Sequence, residues 1–162
     1  MPNEEVSARG LLRHSLATIA YRVGKIIRDA PQGYVDFCPG QNCRTPVQIL
    51  AHIGDLFDWA LSMATGKPAW HDSEPLPWPD EVQRFFDALK RFDDFLAGPG
   101  ELHTSVEKLF QGPVADVLNH VGQLAMLRRL SGVPIRGENY YKADISTGRV
   151  GKDQANPKFE FD

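Results

Sequence analysis

The sequence is poor in cysteine, in clustered basic residues and in long apolar runs, and each shortage excludes a class of protein. Only 2 cysteines in 162 residues cannot build the framework of a disulfide-rich secreted fold. With 18 lysines and arginines against 21 aspartates and glutamates, the net charge is −3, and no basic cluster predicts nucleic acid as a partner. No apolar stretch approaches the roughly 20 residues of a membrane-spanning helix, so no membrane association is expected.

The length and the N-terminal segment predict one cytoplasmic domain. The segment Met1–Val6 lacks a basic stretch followed by an apolar run, so we expect no secretory leader. A chain of 162 residues is long enough to bury a core without disulfide or metal staples. We therefore expect a single domain over residues 1–162.

Four segments carry apolar residues at helical spacing, and none shows the alternation of a strand. The first ends at Pro31 and has its apolar residues at alternating steps of four and three, namely Leu12, Leu16, Ile19, Val23, Ile26 and Ala30. The second opens with Thr45, Pro46 and Gln48 in the pattern of a capping box and ends at Gly66. Both segments predict core helices.

The other two helices follow from their start and stop signals. The third is predicted to begin at Pro79, with acidic residues in its first turn, and to end before Gly98. The fourth is predicted to begin at Pro113 and to end at Gly132. The helical region thus covers about residues 3–133.

The segment of about 134–162 has no helical periodicity and is predicted to be an irregular tail. Such a tail is either disordered or laid over the helices. Tyr140, Tyr141 and Ile145 favour docking for most of its length, because they offer apolar surface to bury.

Asp116 and His120 form a candidate pair of metal ligands. Residues four apart on a helix project side by side, so a carboxylate and an imidazole there can bind one divalent ion. His52, at the edge of the apolar face of the second helix, would complete a facial triad with open coordination positions, as in catalytic metal sites. The alternatives are a hydrogen-bonded core histidine at position 52 and a surface ion pair between Asp116 and His120.

Gln123 is the candidate catalytic residue beside this triad. It lies one turn beyond His120, from where it would hydrogen-bond a metal-bound water or orient a ligand; a helix-packing hydrogen bond is the alternative. His14 and His103 are interpreted as surface residues. His71, in a loop rich in proline and tryptophan, is interpreted as a surface residue in preference to one lining a pocket mouth.

Cys38 and Cys43 lie close together in a predicted loop. They could be a redox pair, half of a metal site, or ordinary loop thiols. We favour inert or occasionally oxidised thiols, because stable disulfides are rare in the cytosol, and we assign them no catalytic role.

These residues carry a resemblance to the DinB/YfiT-like superfamily of metal-binding helical proteins. The similar features are His52 in a His-Ile-Gly-Asp context, the ligand pair Asp116 and His120 followed by Gly122-Gln123-Leu124, and the tail segments 137–141 and 148–151. The resemblance implies an all-α, up-down-down-up four-helix bundle with an irregular C-terminal tail, frequently a homodimer. It also implies a divalent metal, commonly zinc or nickel, held by His52, Asp116 and His120.

This chain departs from the commonest pattern of that superfamily at Asp116, where a histidine is usual. A carboxylate is a harder ligand than imidazole, so manganese and iron become acceptable beside zinc and nickel. The resemblance implies an enzyme that transfers a low-molecular-weight thiol to a small electrophile. The alternatives are a metal-dependent hydrolase and a non-catalytic binding module of a stress response.

Overall fold

The computed structural model describes residues 6–162, and these residues are mostly helical, as the all-α prediction required. The helices are α1 (Ala8–Ile27), α2 (Gln32–Val35), α3 (Pro46–Ala64), α4 (Trp78–Ala97), α5 (Val106–Leu109) and α6 (Ala115–Leu130). None of the helices in residues 6–162 is both long enough and apolar enough to cross a membrane. The predicted start of the helical region near residue 3 lies outside the described residues.

The signals that were predicted to begin and end α3 are present. The Thr45 hydroxyl accepts a hydrogen bond from the Gln48 backbone N–H, and the Gln48 side chain accepts one from the Thr45 N–H at 2.9 Å, which completes the capping box. After the helix, Gly66 has a φ of +78°, and a Cβ there would lie 2.8 Å from the His103 ring. Only glycine fits this exit, so the helix ends where the sequence indicated.

The first and third predicted helices need small corrections. Helix α1 ends at Ile27 rather than at Pro31, and Asp29 turns the chain with a φ of +52°. Helix α4 begins one residue before the predicted Pro79, and Gly98 follows its last residue as expected.

The predicted start of the fourth helix at Pro113 is wrong. Ser105 caps α5, a turn of π-helix follows over Phe110–Val114, and α6 continues directly from it. Proline has no N–H to donate to the ladder, and a π turn at Gly112-Pro113 lets the helical path continue through it. The Gly-Pro pair therefore marks an irregularity inside a longer helical segment rather than its beginning.

The four long helices enclose one apolar core. Helix α3 packs against α4 and α6, and α1 packs against the same two helices. The largest fully buried side chains come from α1, α3, α4 and the short helices α2 and α5, and include Leu12, Ile19, Tyr34, Ile53, Phe57, Phe85, Phe92 and Leu109. The Tyr34 hydroxyl donates to the Leu124 carbonyl at 3.0 Å, so its buried polar end is satisfied.

The C-terminal tail docks on α1, as predicted, with Tyr140 against Tyr21 and Arg22, but Tyr141, which was expected to contribute to the docking, is 97% exposed. Two short strands, β1 (Gly137–Glu138) and β2 (Glu160–Phe161), pair antiparallel within it, a ladder that the sequence did not predict. Glu138 is 6% exposed and accepts hydrogen bonds from Tyr21 at 2.5 Å and from Lys25 at 2.9 Å. Lys25 also pairs with Glu160 at 3.0 Å.

Candidate metal centre

His52, Asp116 and His120 come together at one point between α3 and α6. Asp116 Oδ1 lies 3.5 Å from His120 Nε2, and Asp116 Oδ2 lies 3.9 Å from His52 Nε2. One donor atom from each residue lies within 4.8 Å of the other two. The fold thus unites a residue of α3 with a pair more than sixty positions later in the chain, as the triad prediction required.

Each helix aims these side chains by burying the face next to them. On α3, Ile49, Ile53 and Leu56 point into the core, so His52 is held at its rim with a side chain 19% exposed. On α6, Val117, Val121 and Leu124 are buried and place Asp116 and His120 on the adjoining face, where His120 is itself only 9% exposed. Asp116 is the open side of the centre, with its side chain 47% exposed.

Gln123 bonds the far side of His120. Its side-chain oxygen lies 2.8 Å from His120 Nδ1, so Nδ1 carries the proton and Nε2 keeps its lone pair toward Asp116 and His52. Metal-binding histidines commonly donate their second N–H in this way. The contact makes Gln123 a positioning residue; a direct role at a reacting group stays a prediction.

The three residues fit a divalent metal. Two imidazole nitrogens and one carboxylate oxygen form a donor set that zinc, nickel, manganese and iron accept. Bonds of zinc to such donors, about 2.0–2.2 Å long, place neighbouring ligand atoms about 3.3 Å apart in a tetrahedral site. The separations of 3.5 and 3.9 Å need only small side-chain rotations to match.

Burial also sets the protonation of His52. It lowers the pKa of this histidine below its usual value, and the nearby His120 and Arg44 lower the pKa further, against the opposing effect of Asp116 and Asp55. The neutral imidazole that results is the form that binds a metal.

Two cavities adjoin the centre, one on each side of Arg44. The first, of about 460 Å³, is lined by His120, Gln123, Ile49, Met126 and Leu127 together with Arg44. The second, of about 340 Å³, reaches His52 and contains the carboxylates of Asp55 and Asp72. Cys43 borders both cavities.

Asp55 makes several polar contacts beside His52, and the sequence analysis did not identify it. It is 3% exposed and accepts hydrogen bonds from the Ser73 N–H at 2.8 Å and the Ser73 hydroxyl at 2.7 Å. His71 Nδ1 lies 3.0 Å from Asp55, and the Arg84 guanidinium also pairs with it. An aspartate three residues after His52 on an otherwise apolar helix face was the available signal.

The contacts of Asp55 fix the loop that carries Trp70. Asp55, Asp58 and His71 lie close enough together to hold a metal, but Arg84 and Arg91 already pair with the two carboxylates. We therefore assign the cluster to holding the loop. Trp70 lies edge-on to the His52 ring, with 5.7 Å between centroids.

The remaining candidate residues lie away from the triad. His14 bonds Thr147 at 3.1 Å, and His103 packs against Gly66. Cys38 and Cys43 are joined in a disulfide with their Cα atoms 5.9 Å apart, so the oxidised state, which was expected only occasionally, is the state in this structure.

Comparison with known protein families, with curated proteins and with solved structures finds no match to this chain. The functional argument therefore rests on the chemistry of the site.

Proposed function

We propose that this protein is a metal-dependent enzyme of the DinB-like type that transfers a low-molecular-weight thiol to a small electrophile. One observation carries the proposal: His52 of α3 and the Asp116–His120 pair of α6 bring their donor atoms within 4.8 Å of one another. Three protein ligands leave coordination positions open, which is typical of catalytic and not of structural sites.

The fold supports the same proposal. We infer that α1, α3, α4 and α6 form the up-down-down-up bundle of the superfamily, because α3 and α1 each pack against both α4 and α6. The resemblance extends the proposal to a homodimer, for which light scattering of the purified protein is the direct measurement.

The residues of the centre would have different roles. His52, Asp116 and His120 would hold the metal, which when bound lowers the pKa of a thiol and makes it nucleophilic at neutral pH. Gln123 keeps the His120 Nε2 lone pair directed at the centre through its 2.8 Å contact with Nδ1. Trp70 packs edge-on against the His52 ring and so limits the orientations that this ligand can take.

Elemental analysis of protein purified without an affinity tag tests the metal centre first. We expect about one divalent ion per chain, and a sharp loss of metal in His52→Ala and His120→Ala with unchanged helical circular dichroism, because the apolar core does not include these side chains. His14→Ala is the matched control, since the His14 ring is exposed and its hydrogen-bond partner within residues 6–162 is Thr147. Unchanged metal content in both ligand variants would refute the triad.

Thiol binding tests the reaction class. A small thiol added to cobalt-loaded protein should change the visible absorption of the cobalt and release protons, and His120→Ala should abolish both signals. A protein that binds none of several cellular thiols but hydrolyses an ester or amide would be a metal-dependent hydrolase instead. A protein that binds metal and shows neither activity would be a non-catalytic module.

A further inference from the structure

The 460 Å³ cavity beside His120 combines one cation with an apolar wall. Ile49, Met126 and Leu127 form the wall, and among residues 6–162 Arg44 is the charged residue of the lining, to which no carboxylate of that range contributes. The neighbouring 340 Å³ cavity differs, because the carboxylate-bearing residues Asp72 and Asp55 line it beside Arg44, although Arg84 already pairs with Asp55. An anion is therefore favoured in the first cavity and disfavoured in the second.

Arg44 is available to bind a ligand. Its side chain is exposed, and within residues 6–162 it forms neither an ion pair nor a side-chain hydrogen bond. A guanidinium offers five N–H donors in a planar fork that matches a carboxylate. Two other arginines that lie beside buried carboxylates already have a partner. Arg13 pairs with Asp93, and Arg84 pairs with Asp55.

The backbone on both sides of Arg44 is fixed. Cys43, immediately before it, is tied to Cys38 by the disulfide. Thr45, immediately after it, is the N-cap of α3 and takes part in the capping box. A cation anchored in this way loses less conformational entropy when it binds a ligand than one on a free loop would.

We propose that this cavity binds a small carboxylic acid with an apolar body, its carboxylate on Arg44 and its body against Ile49, Met126 and Leu127. The volume of about 460 Å³ lies within the range of about 300–1,000 Å³ that small-molecule sites occupy. His120 lines the same cavity, so such a molecule would contact the ring of a residue that we propose to hold the metal. That last step rests on the proposed function, whereas carboxylate binding by Arg44 does not.

The test is a calorimetric titration with hexanoate and with its neutral counterpart hexanamide, on metal-loaded and on metal-free protein. Hexanoate should bind the native protein more tightly than hexanamide does. Arg44→Gln should weaken hexanoate binding about tenfold or more, because a charge-assisted pair contributes that much, and should leave hexanamide unaffected. Arg44→Lys should retain part of the affinity, since it keeps the charge but loses the fork.

Arg129→Gln is the matched control, because Arg129 is an exposed arginine of α6 that does not line the cavity. It should bind hexanoate as the native protein does. Equal loss in the Arg44→Gln and Arg129→Gln proteins would show a general charge effect and overturn the proposal. Equal binding of hexanoate and hexanamide, or no binding of hexanoate at millimolar concentration, would overturn it as well.

These titrations distinguish a failure of the cavity proposal from a failure of the proposed metal centre. Arg44-dependent hexanoate binding by a protein that takes up no metal would support the cavity and refute the metal centre. A protein that holds its metal on the triad but binds hexanoate equally well after Arg44→Gln would support the centre and refute the cavity. Hexanoate binding that disappears on metal removal while Arg44 is intact would place the carboxylate on the metal, against this proposal.

Discussion

Replacing Gln123 should weaken metal binding without altering the fold. The side chain is exposed, and its 2.8 Å contact with His120 Nδ1 is the hydrogen bond that fixes the tautomer and the ring orientation of that ligand. Loss of such an outer contact typically reduces metal affinity 10- to 100-fold, or about 1.4–2.7 kcal/mol. We therefore expect the zinc dissociation constant of Gln123→Leu to rise by a factor in that range.

Gln123→Glu sharpens the test. A carboxylate still accepts the Nδ1 proton and makes the imidazole more basic, so this variant should bind zinc at least as tightly as the native protein. Competition with a chromophoric chelator gives the three dissociation constants, and thermal unfolding checks the fold. Gln83→Leu is the control, because Gln83 is exposed and, in the described part of the chain, its side chain bonds Asp87 alone. Zinc affinity in Gln123→Leu equal to that of the control would refute the role assigned to Gln123.

Three further predictions concern the centre and its support. Asp116→Asn should lower zinc affinity more than Asp116→His does, because histidine restores a good donor at the same helical position; equal affinities by chelator competition would remove Asp116 from the ligands. Glu138→Ala should destabilise the protein by about 3 kcal/mol in urea unfolding, since it leaves the Tyr21 hydroxyl without its acceptor and Lys25 with Glu160 as its remaining acidic partner. Burial, first of all, raises the pKa values of Tyr21 and Tyr34, and the hydrogen bond to Glu138 adds to the rise for Tyr21. Because the pKa values of these tyrosines are higher in the folded than in the unfolded protein, their protonated hydroxyls contribute fully to stability below about pH 10, and the contribution is lost as the pH rises further. The free energy of unfolding should therefore fall above about pH 10, and Tyr34→Phe should make that fall smaller.

Local signals in the sequence predicted the parts of the fold that depend on neighbouring residues. The capping box at Thr45 and Gln48 and the glycine exit at Gly66 are each satisfied within a few positions, so the bounds of α3 could be anticipated. The same holds for the side-by-side placement of Asp116 and His120 on one helix.

Features that depend on tertiary contacts could not be predicted in this way. The partner of Lys25 is Glu138, 113 positions later, and no local pattern pairs them. The capacity of Arg44 to line two cavities depends on where α3 and α6 meet. The state of Cys38 and Cys43 was inferred from the expected compartment rather than from geometry, and a short loop that brings them together outweighs that argument.

The π turn at Phe110–Val114 separates two parts of one helical path that can change independently in evolution. It holds one residue more than a regular helix needs, so deleting Gln111 would let α5 and α6 join with α-helical geometry. Val106–Leu109 would keep their orientation, because the turn absorbs the extra residue, but Pro113 would then lie inside a regular α-helix, where it lacks an N–H and its ring clashes with the preceding turn, while Asp116 and His120 kept their places. A change of length at this point of the chain should therefore lower the stability of the protein but leave its metal affinity nearly unchanged. A Gln111 deletion that lowered metal affinity without lowering stability would show instead that the turn positions the metal ligands.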